Sequence, residues 1–176
     1  MFIRKGVDIC PFIHGGHQER GVRAGTENTI GIVGFGEAAR VLMERGKKDT
    51  EKVETLTSRL KKGIEEIIPR IKFNGHPEKR VKNTLNVAFP GLEAEAILLA
   101  LATKGISVST GSACSAESEE VSPVLLAIGL KPEIARSCIR MSLGRFNTEE
   151  DVETVLRELP DIIAKLRRIS AFDPGE

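Results

Sequence analysis

Cys114 stands in the run Val108-Ser109-Thr110-Gly111-Ser112-Ala113-Cys114-Ser115-Ala116, where small and hydroxyl side chains give a sulfur nothing to pack against. A thiol so placed is expected to reach water, the first requirement of a nucleophilic cysteine; the second, a lowered pKa, cannot be read from the neighbours alone. A small residue in a polar loop is the competing reading. Further along, Arg140 lies in Ser137-Cys138-Ile139-Arg140-Met141-Ser142-Leu143-Gly144-Arg145-Phe146, which reads as a strand carrying a cation. With a period of two, Arg140 shares a face with Cys138 and Ser142, while Ile139, Met141 and Leu143 point to the other. A guanidinium on the inner face of a sheet is costly unless an anion meets it, and its planar fork suits a carboxylate. A structural salt bridge or an edge strand would account for it equally well. A nucleophile and a carboxylate anchor are what chemistry on a small sulfur-containing acid needs.

The third candidate is the stretch 15–28, Gly-Gly-His-Gln-Glu-Arg-Gly-Val-Arg-Ala-Gly-Thr-Glu-Asn. Glycines let backbone approach a phosphate, and Arg20, Arg23 and Thr26 add charge and a hydroxyl. No Gly-Lys-Ser/Thr follows, so it is not a Walker loop, and a surface loop is the plainer alternative. His14 and His17 have no third ligand nearby and read as solvated. Cys138, in an apolar strand, and Cys10, before Pro11, read as structural thiols.

Around these residues, 176 residues at 40% hydrophobic and 29% charged predict a globular chain with a sizeable core. With no Trp, no Tyr and seven Phe, that core must be aliphatic. A net charge of +1 gives no reason to expect nucleic acid or an anionic membrane. No run is long enough to span a membrane, and the first residues lack the apolar stretch of a secretory signal. Three cysteines without a Cys-x-x-Cys pair predict a reducing, cytoplasmic setting and no structural zinc.

The elements that must hold the candidates follow from periodicity. Residues 1–9 read as a short strand and 14–31 as a glycine-rich loop. A helix starts near Ile30 and is expected to break or bend at 46–49. Val53, Leu56, Leu60, Ile64, Ile67 and Ile68 form one apolar stripe of a second helical segment. Residues 84–89 alternate like a strand, 93–103 read as a helix stopped by Lys104-Gly105, and 106–108 as a brief strand. Short helices at Pro123 and Pro132 precede the strand 138–143. Thr148 caps a last helix running to about Ile169, with a bend expected at Pro160. The order predicts an α+β fold, a small sheet covered by helices on one face, with residues 1–45 as a separate piece from 46–176.

Three segments together, 14–28, 109–116 and 139–150, resemble in content, order and spacing the C-terminal portion of cysteine desulfurases of the NifS/IscS type, in the class V aminotransferase superfamily of fold-type I enzymes. The likeness covers nearly the whole chain. It implies that Cys114 attacks the sulfur of a cofactor-bound cysteine and carries it away as a persulfide, on a long mobile loop suited to an iron–sulfur scaffold or another acceptor protein. Arg140 would grip the carboxylate of the substrate, L-cysteine. Thr26 would reach the pyridoxal 5'-phosphate of the other subunit of a homodimer. Residues 1–45 would be a remnant strand, glycine-rich loop and linking helix of the large cofactor domain, and 46–176 the small domain. In such enzymes the Schiff-base lysine precedes the segment resembling Ile3-Arg4-Lys5-Gly6-Val7, and none of the lysines here stands in a Ser-x-His-Lys context. The expectation is therefore a piece of a desulfurase, from a split gene, a truncated form or a decayed copy. It would bind no cofactor and be inactive without an N-terminal partner half, since the cofactor does the electronic work. A non-catalytic sulfur-relay or scaffold-binding module, or an inert fragment, are the alternatives.

Overall fold

The computed structural model describes residues 2–110 and 121–170. Contacts group the chain into two compact units, Met1–Lys47 and Lys48–Glu176.

In the first unit no strand forms among the described residues before Cys10. The expected extension is cut by a turn: Val7 N–H donates to Arg4 O at 3.2 Å across Gly6, whose φ of +85° suits glycine. A single 3-10 turn, Gln18–Gly21, interrupts the glycine-rich stretch. Helix α1 (Thr29–Ile67) begins in this unit and ends in the second. Asn28 starts it, its Oδ1 accepting from Gly31 N–H at 3.0 Å. The expected break at 46–49 is absent. One interior glycine, Gly46, costs only about 1 kcal/mol, and its charged neighbours are good helix formers with no proline among them.

The second unit is built on a four-stranded antiparallel sheet ordered β1-β2-β4-β3: β1 (Lys72–Phe73), β2 (Thr84–Ala88), β3 (Ser109–Thr110) and β4 (Cys138–Ser142). Helix α2 (Ala94–Ala102) lies between β2 and β3, α3 (Pro123–Ala127) and α4 (Pro132–Ala135) precede β4, and α5 (Glu149–Ile169) follows it. One sheet face turns Leu85, Val87, Ile139 and Met141 into a core shared with Leu56, Leu60, Ile64, Ile97, Leu101, Val152, Leu159 and Ile163 from the helices. This is the expected α+β arrangement. Each fully buried aliphatic side chain of this set contributes about 1.5–3 kcal/mol. Ile67, expected on the stripe, is half exposed; Ile64 and Ile68 carry the buried face instead.

One boundary differs from the sequence expectation for a local reason. The strand expected at 106–108 forms at 109–110, because Ile106 N–H is spent on Leu101 O at 3.1 Å, closing α2 with Gly105 at φ +74°. Helix α5 has the expected bounds, running through Pro160 to Ile169. Its start is a capping box: Thr148 Oγ1 accepts from Asp151 N–H at 3.3 Å, and Asp151 Oδ2 accepts from Thr148 N–H at 3.0 Å.

Candidate functional site

The other face of the sheet carries the polar candidates. Antiparallel partners share a face, and the register sets Asn86 and Ser109 opposite Arg140, Thr84 opposite Ser142, and Ala88 opposite Cys138. Beyond β1, Asn74 N–H donates to Asn86 O at 2.9 Å and prolongs the ladder by one residue. Asn74, Asn86, Arg140 and Ser109 thus form a row running directly across the sheet. Asn74 Nδ2 donates to Asn86 Oδ1 at 2.7 Å, and Arg140 Nη2 donates to Ser109 Oγ at 3.3 Å.

Arg140 is exposed, and the described residues give it no carboxylate partner. Its strand lies between β2 and β3, so it is not on an edge. Both structural alternatives for this residue are thereby removed among the described residues, and the guanidinium is presented to solvent rather than packed inward.

Cys138 stands two residues away on the same face but is covered: it is 1% exposed, packed with Ala88, Leu125 and Ala135 under α3 and α4. Burial pushes its thiol up to about 11, against a smaller opposing effect of the hydrogen bond from Asn74 Nδ2 at 3.2 Å. It is the structural thiol its context predicted. Cys10, expected to be another, is exposed instead, because no strand forms around it to bury it.

Cys114 lies outside the described residues. The last described residue before it, Thr110, is paired with Ile139.

Thr26 belongs to the first unit and is exposed. Two donors near it are engaged within the loop: Arg23 Nη1 donates to Ala24 O at 2.8 Å and to Thr26 O at 3.5 Å, and Gly25 N–H donates to Gln18 Oε1 at 3.0 Å. His14 and His17 are exposed, as expected. No lysine among the described residues is buried, and no three His, Cys, Asp or Glu side chains gather as a metal site. The described residues therefore do not by themselves form a pyridoxal phosphate site: no lysine among them is placed in an apolar pocket. Two hollows, of about 500 and 470 Å³, are lined by neither Arg140 nor Ser109. Among the described residues no helix is long and apolar enough to cross a membrane.

Sequence reasoning missed Ser109. It was read as part of the Cys114 run, and only the pairing of β3 with β4, a contact across 31 residues, puts its hydroxyl on Arg140.

Comparison with known proteins places this geometry in a family. The model for "Aminotransferase class-V" matches residues 10–155. "Cysteine desulfurase IscS" of Methanosarcina thermophila is 47% identical over 176 residues, covering 100% of this chain and 43% of the relative. "Cysteine desulfurase NifS" of Azotobacter vinelandii is 41% identical over 175 residues, 99% of this chain and 44% of the relative. Among solved structures, a "NIFS-LIKE PROTEIN" superposes with a TM-score of 0.81 at 37% identity, covering 94% of this chain and 42% of that one. A NifS-like protein from Rickettsia africae gives 0.80 at 32% identity, covering 90% and 41%. The chain thus spans less than half the length of the relatives it matches. On the family model and these likenesses, the chain belongs to the class-V aminotransferases.

Proposed function

We propose that this chain is the C-terminal part of a pyridoxal-phosphate-dependent cysteine desulfurase, acting with a polypeptide that supplies the lysine and most of the cofactor site. The observation that carries the reading is the end-to-end match to proteins named cysteine desulfurase, joined to the exposed Arg140 beside the strand that leads to Cys114. The net reaction is L-cysteine plus the Cys114 thiol giving L-alanine plus a Cys114 persulfide. The carbon–sulfur bond breaks, a sulfur–sulfur bond forms, and the carbon that loses sulfur gains a proton. Bound pyridoxal phosphate supplies an electron sink in such chemistry.

The roles of this chain's own residues are narrower. Arg140 holds the substrate carboxylate through a two-pronged, charge-assisted contact, which fixes the amino acid relative to β4. Cys114 takes the sulfur and carries it to an acceptor, an iron–sulfur scaffold being the class of protein that needs it. Thr26 adds a hydroxyl toward the cofactor phosphate of a second subunit, so the working form is a homodimer in the cytoplasm.

The test is reconstitution. Co-expression with a half bearing a Ser-x-His-Lys segment is expected to yield L-alanine and a persulfide on Cys114, seen by mass spectrometry. Sulfur transfer to protein acceptors that continues with Cys114→Ala would overturn the assignment. The engaged donors of the glycine-rich loop and the lack of a buried lysine among the described residues favour a second reading for the chain by itself: a sulfur-relay module. Uptake of sulfur at Cys114 from a small persulfide donor, with no alanine formed in the reconstituted pair, would select it.

A further inference from the structure

The row across the sheet contains one hydroxyl whose direction is set. Ser109 Oγ donates its single proton to Thr110 O at 3.0 Å and receives Arg140 Nη2 at 3.3 Å. With the proton committed, a lone pair faces the guanidinium, so the hydroxyl meets the cation only as an acceptor. The contact uses one of five guanidinium N–H groups and leaves the others for a carboxylate.

We propose that Ser109 is a positioning residue for Arg140, holding the guanidinium in place on the exposed sheet face before substrate arrives. The inference rests on the reading of Arg140 as the carboxylate grip and adds what orients it. An exposed arginine otherwise samples many rotamers, and ordering one on binding costs affinity. Ser109 meets that cost in the unliganded chain. It is well placed to do so, because its backbone is paired in register with Arg140 itself, so the two ends of the hydrogen bond are fixed to each other. Asn86, the opposite neighbour in the row, is in turn tied to Asn74, so the guanidinium lies between two anchored side chains.

The proposal gives Ser109 a role that packing does not require. It is half-buried, outside both apolar clusters, and its removal leaves the core untouched. Threonine keeps the hydroxyl and suits a strand, so Ser109→Thr is expected to preserve the effect and Ser109→Ala to abolish it.

The experiment uses the full chain and nitrogen-15 NMR of arginine side chains, with the Arg140 guanidinium resonances assigned by their loss in Arg140→Lys. In the unliganded chain, Ser109→Ala is expected to speed rotation at Nη2 about fivefold or more, and Ser109→Thr to restore the wild-type rate. Unchanged rotation in Ser109→Ala overturns the proposal. Titration of the chain reconstituted with its lysine-bearing half by L-alanine, which carries the product carboxylate, separates it from the reading beneath. Ser109→Ala is expected to raise the apparent Kd about fivefold, the ordering cost of one long side chain, and Arg140→Lys to raise it far more. If wild type and Arg140→Lys respond alike to L-alanine, the carboxylate-grip reading fails. If Arg140→Lys abolishes the response while Ser109→Ala leaves the Kd unchanged, only the positioning role fails.

Discussion

The two cysteines in described parts of the chain should differ in reactivity by orders of magnitude, and the structure gives the size of the difference. Cys138 is 1% exposed and its thiol is raised from the ordinary 9.0 to about 11 by burial, so at pH 8 ionisation alone makes its thiolate roughly one hundredfold scarcer than that of an ordinary thiol. Reagent access requires in addition that the cover of Leu125 and Ala135 open, which multiplies the delay. Cys10 is exposed and has no such barrier. Timed alkylation with iodoacetamide at pH 8, quenched and read by peptide mass spectrometry, is expected to modify Cys10 at least one hundredfold faster than Cys138. The perturbation that checks the cause is Leu125→Ala. Removing that side chain costs about 2–5 kcal/mol of local packing and admits water to the sulfur, so Cys138 should speed up by tenfold or more while Cys10 does not change. Labelling of Cys138 within tenfold of Cys10 in the native chain would refute the reasoning. So would indifference of Cys138 to Leu125→Ala.

Two further expectations concern the scaffold. Thr148→Ala removes the capping box of α5 and should cost about 1 kcal/mol in chemical denaturation. The Thr148 backbone and the Asn147 amide hold the Asp151 carboxyl below its usual range, so their contribution is present above the unfolded carboxylate pKa and is lost as pH falls through the folded one. Thr148→Ala keeps both donors and should lose stability in acid much as wild type does, whereas Asn147→Ala removes one and should show a weaker acid-side loss of thermal stability. At Gly63 an added Cβ would stand 2.6 Å from both Cδ atoms of Leu156. Gly63→Ala should be neutral to mildly destabilising, since crowding offsets the helix gain of about 1 kcal/mol, but stabilising by about that amount in a Leu156→Ala background. Additive behaviour in that double-mutant cycle would show that the two helices do not meet there.

The periodic elements were legible because their burial is one-sided. The spacing of Leu56, Leu60 and Ile64, the alternation of β2 and β4, and the Thr148 start of α5 each reflect a local rule. The face of Arg140 was legible for the same reason, although which face was open was not: that depends on where the helices pack. The misplaced pieces have local causes that compete with pattern. The turn at Gly6 defeated the strand expected at 1–9, the closure of α2 took Ile106, and the helix-forming neighbours of Gly46 carried α1 through a stretch that reads as a stop. Ser109 was invisible for a different reason. Its partner is distant in sequence, and no periodicity within a two-residue strand announces a pairing.

One consequence follows from α1. Its later turns are fixed by Val53, Leu56, Leu60 and Ile64 in the core, whereas none of its described residues from Thr29 to Lys47 is buried, and Ile30, Val33, Phe35, Leu42 and Met43 face water. Such a helix has no single melting point: its buried turns share the free energy of the core they pack in, while the exposed ones are supported, among the described residues, by their own hydrogen bonds and the Arg40 bridges to Glu37 and Glu44. The greasy, unsecured portion is then the place where heat, proteases and unwanted stickiness act first, leaving the sheet and its row of polar side chains intact.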